Sequence, residues 1–366
     1  MGRIDPQIVP LGKAAQDSLP QRILIVTDAW IPQVNGVVRS YENIRQHLQA
    51  QGATVAVIGP DAFPSVALPG YPEIPLALAP ARRLAALIED FDPEAVHIAV
   101  EGPLGWAARA DCLRRGRRFS TAFHTNFPAY AALRTPAPLR STVERMTVSL
   151  TRRFHAPAAF TYVATASVEA QLRRWGFAGR LPRLSRGVDS ARFHPGPERP
   201  ADDPPVLLYV GRVAPEKNVE AFLRLAPAEI GPARKVVVGD GPQLAALRRR
   251  YPEVEFTGVL TGAALAAAYR AADVFVFPSR TDTFGIVLIE AMASGLPVAA
   301  LDTPGPRDII AGDPRLGAVE GDLAAAVRRA LAAPGTRADR HRLARERYDW
   351  AEVAAGFHAG CAELAG

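Results

Sequence analysis

The feature that most constrains this chain is an alternation that runs, stops and starts again. Short runs rich in Val, Ile and Leu are each followed by a turn and then by apolar residues at helical spacing. Arg22-Ile-Leu-Ile-Val-Thr27 leads through the turn-rich segment 28–36 into 37–51. There Val37, Val38, Tyr41, Ile44 and Leu48 share a helix face, Gly52 stops the helix, and Thr54-Val-Ala-Val-Ile58 repeats the apolar run. Strand, helix and strand in so short a span form a βαβ unit, which requires a parallel sheet. The pattern continues with helices near 82–90, 104–114 and 168–176 and strands near 95–100, 119–124 and 161–165. It breaks where 192–205 carries five prolines, then resumes with strands near 206–211, 235–239, 254–257, 274–278 and 297–301. The predicted fold class is therefore α/β, with two successive doubly wound, Rossmann-like domains. Their expected bounds are 21–190 and 206–344, joined by a linker over 191–205. A C-terminal helix within 345–366 is expected to pack back on the first domain. Residues 1–20 hold no continuous apolar stretch and read as a short, poorly ordered leader.

Composition narrows the class. Apolar residues make up 48% and charged residues 22% of the 366, which excludes wholesale disorder. No apolar run is long enough for a helix to span a bilayer. Cys112 and Cys361 have no metal or redox spacing, so a cytoplasmic protein is expected. The charge is uneven: residues 1–190 hold 22 Lys and Arg against 15 Asp and Glu, whereas the rest hold 21 against 22. The basic excess of the first half suits an anionic partner: nucleic acid, a membrane surface or an acidic substrate.

In doubly wound sheets ligands lie beyond the carboxyl ends of strands, and the unusual residues fall there. Asn35-Gly36 opens the first helix and either offers amides to a phosphate or makes a tight turn. No Gly-x-Gly-x-x-Gly or Walker A sequence accompanies it, which argues against a dinucleotide dehydrogenase or a P-loop ATPase. His124 ends a strand, as an active-site residue or as a hydrogen-bonded core histidine. Arg212 and Lys217 follow another strand and could neutralise a diphosphate; Lys217 is one of only three lysines among 43 basic residues. Gly239-Asp-Gly241 either lets a flat base approach the backbone or makes a turn. The segment from Phe277 to Pro297 is the most informative. Asp282 lies in a loop, amides near Phe284, Gly285 and Ile286 open a helix, and Glu290 follows in an apolar context. Hydroxyl-binding carboxylates flanking a diphosphate-binding helix start describe a nucleotide-sugar.

On these residues the chain resembles the retaining GT-B glycosyltransferases of glycosyltransferase family four. Asp282 to Glu290 matches that family's Glu-x7-Glu motif with Asp in first place. Gly211-Arg-Val-Ala-Pro-Glu-Lys-Asn218, Pro32-Gln-Val-Asn-Gly-Val37, His124-Thr-Asn-Phe127 and Ser185-Arg-Gly-Val-Asp189 match further blocks. The resemblance implies two domains facing across a cleft, the second binding the nucleotide-sugar and the first the acceptor. It implies Gly36 near the donor diphosphate, His124 against the transferred sugar, and Arg212 and Lys217 on the diphosphate. Asp282 would hold a sugar hydroxyl, the amides of Phe284, Gly285 and Ile286 the phosphates, and Glu290 the ribose hydroxyls. No metal or other cofactor is implied, and reaction with retention is.

The expected activity is transfer of a hexose or hexuronic acid from a nucleotide-sugar, UDP-linked in the first reading, to a lipid such as diacylglycerol at the inner face of the cytoplasmic membrane. The alternative is a GDP-mannose-dependent α-mannosyltransferase acting on a glycolipid or polysaccharide precursor. A reading of another class is a non-catalytic nucleotide or nucleic-acid binder, against which no nucleic-acid-reading motif occurs. Leu139, Val143, Met146, Leu150 and Phe154 follow helical spacing with Arg140, Arg145, Arg152 and Arg153 among them. They form either a basic amphipathic helix for an anionic membrane or a core-facing helix with a solvated rim.

Overall fold

The computed structural model describes residues 20–33, 35–68, 71–78, 80–197, 202–310 and 312–366. The expected leader, apart from Pro20, and residues 198–201 of the expected linker lie outside these. The first half forms β1 (Arg22–Val26), β2 (Thr54–Ile58), a hairpin of β3 (Ser65–Leu68) and β4 (Tyr71–Ala77), β5 (Ala95–Ile98), β6 (Phe119–Ala122) and β7 (Phe160–Tyr162). The second half forms β8 (Val206–Val210), β9 (Arg234–Val238), β10 (Glu255–Gly258), β11 (Val274–Phe277), β12 (Val298–Leu301) and β13 (Gly317–Glu320).

The first sheet runs β2-β1-β5-β6-β7 and the second β10-β9-β8-β11-β12-β13, every pairing in both being parallel. Helices cover both faces of each sheet. That is why β1 reads as an unbroken apolar run: Ile23, Leu24, Ile25 and Val26 are completely buried. In each sheet the strand order reverses beside the first strand, β1 against β5 and β8 against β11, which opens a crevice at the carboxyl ends.

The β3–β4 hairpin and β13 were not expected from sequence. Pro and Gly punctuate the hairpin segment, and β13 is a short Gly-Ala-Val-Glu run with no apolar periodicity. The chain also crosses back later than residue 345. The helix Arg337–Arg347 packs on Ile286–Ala293, and Arg340 is buried in the second domain, donating to the carbonyls of Arg315 and Pro334. The last helix, Trp350–Ala365, lies against Gly36–Ala50 and β5, with Val353, Phe357 and Cys361 in the first domain's core. The two crossings run side by side. The Val188 N–H donates to the Tyr348 carbonyl, and a Cβ on Gly187 would lie 2.4 Å from the Trp350 ring.

Candidate active site

The second domain supplies three loops at the carboxyl ends of its central strands. After β8, Gly211 leads to Arg212 and to a turn at Pro215–Lys217. After β9, Gly239 has φ +138°, and a Cβ there would sit 1.9 Å from the Gly211 carbonyl oxygen. Neither sequence reading of this glycine, a base-binding surface or a simple turn, named what the structure shows, which is two loop backbones packed so closely that no Cβ fits between them. After β11, the Lys217 ammonium pairs with the Asp282 carboxylate at 2.5 Å, both side chains being mostly buried. The second oxygen of Asp282 is buried with no hydrogen-bond partner among the described residues. The two groups expected to serve diphosphate and sugar are thus adjacent, and a buried acceptor oxygen beside them is unused.

Gly285 has φ +90° and precedes the helix Ile286–Ala293, so the turn that aims this helix needs a residue without Cβ. The first amides of the helix have no intrahelical acceptor and no side-chain cap, so the positive end of the helix is left for another partner. Glu290 sits deeper in that helix, 3% exposed. Its Oε1 accepts from Arg39 at 2.7 Å and its Oε2 from the Tyr269 hydroxyl at 3.0 Å. Burial raises the carboxyl above its ordinary range, and Arg39 opposes the rise.

Arg39 belongs to the first domain. Asn35 caps the helix Gly36–Ala50 by accepting from the amides of Val37 and Val38, which brings Arg39 to the cleft one turn in. A Cβ on Gly36 would meet Ile286 at 3.4 Å, so this turn faces the helix Ile286–Ala293 directly. His124 follows β6. Its main-chain carbonyl accepts from the Thr283 hydroxyl at 2.6 Å, a bond that crosses the cleft. Its ring nitrogens are both engaged, Nδ1 with Arg186 and Nε2 with the Tyr41 hydroxyl, each at 2.7 Å. The ring is thus the hydrogen-bonded histidine of the second sequence reading, while the residue's backbone lies at the domain junction. On another part of the junction Asp308 takes both the amide and the hydroxyl of Ser167 at 2.7 Å.

Of the residues singled out by sequence, Gly36 and Ile286, His124 and Thr283's loop, and Lys217 and Asp282 come together. Arg39, Tyr41, Tyr269 and Arg186 were missed. Their sole local signal was position: Arg39 one turn after Asn35-Gly36, and Arg186 inside the Ser-Arg-Gly-Val-Asp block. Among the described residues no group of three or more His, Cys, Asp and Glu gathers as a metal site.

Two parallel α/β domains that meet across their carboxyl edges, with a helix start and buried carboxylates in the crevice, define a GT-B glycosyltransferase. Residues 34–192 match the family model described as Glycosyltransferase Family 4, and residues 204–333 the model described as Glycosyl transferases group 1. The chain belongs to glycosyltransferase family 4. It is 34% identical to a GDP-mannose-dependent alpha-mannosyltransferase of Mycolicibacterium smegmatis, over 79% of this chain and 82% of that one. It is 31% identical to the sulfoquinovosyl transferase SQD2 of Arabidopsis thaliana, over 81% of this chain and 62% of that one. The solved structure of a sucrose-phosphate synthase from Thermosynechococcus elongatus shares the fold at TM-score 0.76 and 21% identity, covering 94% of this chain and 99% of the other. The protein is a glycosyltransferase that takes a nucleotide-sugar donor.

Proposed function

We propose that this chain transfers mannose from GDP-mannose, with retention and without a metal ion, to a lipid-borne acceptor at an anionic membrane surface. The observation that carries the reading is the crevice beside Gly285. There a free helix N-terminus, Lys217 with Asp282, and the buried Glu290 face Gly36 and His124 of the other domain. In this reading Arg212, Lys217 and the amides of Phe284, Gly285 and Ile286 take the diphosphate. Asp282 takes a sugar hydroxyl on its unused oxygen, and Glu290 takes the ribose hydroxyls. The bond from the anomeric carbon to phosphate breaks as the bond to the acceptor oxygen forms. The acceptor proton passes to the leaving phosphate, giving a glycoside and a nucleoside diphosphate. Fixed positive groups stabilise the leaving charge.

Guanine and mannose come first because the mannosyltransferase relative is the more similar of the two relatives above. A second reading, a UDP-linked hexose or hexuronic acid passed to diacylglycerol, draws on a 26% identical relative, an alpha-monoglucosyldiacylglycerol synthase of Streptococcus pneumoniae. Membrane attachment is supported by the helix Arg140–His155 and the residue before it. Phe154 turns into the core, but Leu139, Met146 and Leu150 are 55%, 67% and 53% exposed, with Arg140, Arg145, Arg152 and Arg153 around them. Apolar side chains in water beside arginines suit an interface of acyl chains and anionic headgroups. No described helix is long and apolar enough to cross a membrane. The test is a thermal-shift screen of GDP, UDP, ADP and their sugars. A donor at 100 times its Kd adds about 2.7 kcal/mol of stability. Stabilisation by UDP-sugars and not by GDP-mannose would exchange the two readings, and none by any nucleotide would overturn both.

A further inference from the structure

A hydrogen-bonded chain of five side chains runs from the hinge into the core of the first domain. Arg186 lies on the crossing segment, is 7% exposed, and spends one terminal nitrogen on the carbonyls of Leu184 and Ser185. Its other terminal nitrogen meets His124 Nδ1 at 2.7 Å. His124 Nε2 meets the Tyr41 hydroxyl at 2.7 Å, that hydroxyl meets His97 Nε2 at 2.7 Å, and His97 Nδ1 meets Ser120 Oγ at 2.9 Å. Each link alone could run either way, but Arg186 removes the choice because a guanidinium only donates. His124 Nδ1 must therefore be a bare acceptor, which puts the ring's proton on Nε2, and that N–H donates to the Tyr41 oxygen. The single Tyr41 proton is left for His97 Nε2, so His97 carries its own proton on Nδ1 and donates it to Ser120.

We infer that Arg186, Tyr41 and His97 are positioning residues for glycosyl transfer. They hold His124 as a neutral imidazole with its N–H turned inward, so that the residue presents its main-chain carbonyl, and not a ring nitrogen, to the opposing domain. That carbonyl is the atom already bonded to Thr283, next to Asp282 in the donor-side loop. Because Arg186 rides on the crossing segment, the ring is tied at one end to the hinge and at the other to the core. The kinetic consequence rests on the activity assigned to this cleft; the proton arrangement does not.

The groups facing the chain agree. Glu101, whose charge reaches Tyr41, is engaged by His155 at 3.1 Å, and Tyr162 and Cys361 are buried and neutral. Burial, reinforced by the Arg186 charge, drives His124 well below the ordinary histidine range and His97 down to about 3. Burial and the donor-only guanidinium on Nδ1 thus agree on a neutral His124 ring.

The test begins with the unaltered protein. Nitrogen-15 histidine spectra at about pH 6 and about pH 8 should give two neutral rings of opposite tautomer, His124 protonated on Nε2 and His97 on Nδ1, unchanged between the two values. A His124 ring protonated on Nδ1, or one that titrates across that range, overturns the inference whatever the donor proves to be. Arg186→Met frees Nδ1. It should lower kcat by about tenfold or more with donor KM within about threefold, and bring a new ionisation into the pH–rate profile. Arg186→Lys, still a donor-only cation, should recover most of kcat and the original profile. Loss of kcat in Arg186→Met with an unchanged profile and no recovery in Arg186→Lys would reduce Arg186 to a packing role and overturn the assignment.

Discussion

The ion pair between Arg39 and Glu290 joins residues on opposite domains and can be weighed by a double-mutant cycle. Glu290 is almost wholly buried, and its side chain has two partners, Arg39 at 2.7 Å and the neutral Tyr269 hydroxyl at 3.0 Å. Removing one member of a buried pair costs about 3–5 kcal/mol, because the other charge is stranded. Arg39, however, keeps 35% of its side chain in solvent, so water can partly replace it. Arg39→Met should therefore cost about 2 kcal/mol and Glu290→Gln about 1, and the double variant, which strands no charge, between about 1 and 2, leaving a coupling of about 1–2 kcal/mol. The four tryptophans, Trp30, Trp106, Trp175 and Trp350, all lie in the first domain or in the helix packed on it. Urea unfolding followed by their emission reports that domain, and circular dichroism reports both. The pH adds a sign. A carboxyl raised above its unfolded value binds its proton more tightly in the native state, so its contribution to stability falls as pH rises from the unfolded to the native value. Without Arg39 the native value rises further. The Arg39→Met deficit should therefore shrink as the solution is acidified toward the ordinary carboxyl range. A coupling within about 0.5 kcal/mol of zero, or a deficit independent of pH, would refute the reasoning.

Turnover should persist in excess EDTA if, as proposed, Arg212, Lys217 and the helix start at Ile286 take the diphosphate charge; complete loss restored by magnesium would contradict this. Met146→Asp with Leu150→Asp, or Arg152→Glu with Arg153→Glu, should weaken co-sedimentation with anionic vesicles. About 1 M salt, which shortens the Debye length to ~3 Å, should release most of the unaltered protein. Equal binding to neutral vesicles, or none to either, would make a soluble acceptor the better reading. Gly239→Ala should destabilise the second domain by about 2–4 kcal/mol, because its Cβ would enter the Gly211 carbonyl at an unfavourable φ. A variant of unchanged thermal midpoint would mean that the two loops do not touch.

Local periodicity made much of the architecture legible in the amino-acid order. A strand buried on both faces must be a continuous apolar run and a packed helix must show a stripe, so β1, β2, β8 and β11 and the helices that follow β1 and β11 could be read from their residues. Loop chemistry was equally local: Asn35-Gly36, Lys217, Asp282 and Gly285 owe their interest to neighbours within a turn or two along the chain. The weakly patterned elements escaped. β13 is four small or half-exposed residues, and the β3–β4 hairpin looks like punctuation. The stretch 139–154 was legible as amphipathic, but which way its stripe faced was not. The structure turns Phe154 inward and leaves Met146 and Leu150 in solvent.

What only the tertiary structure decided are the partners. Arg39 and Glu290 lie 251 positions apart, Thr283 and His124 159, and Arg186 and His124 62. No periodicity links such positions, because their meeting depends on how two separately patterned sheets come to face each other and where the chain crosses between them. The sequence alone could name Glu290 as an improbable carboxylate in an apolar helix and His124 as a histidine at the end of a strand. Folding determined that Glu290's charge is met by an arginine from the other domain. It also determined that the imidazole of His124 turns inward to Tyr41 and Arg186 while its carbonyl faces the cleft. Side-chain identity is written locally, but the direction of a hydrogen bond is set by whichever donor the fold brings to the other end.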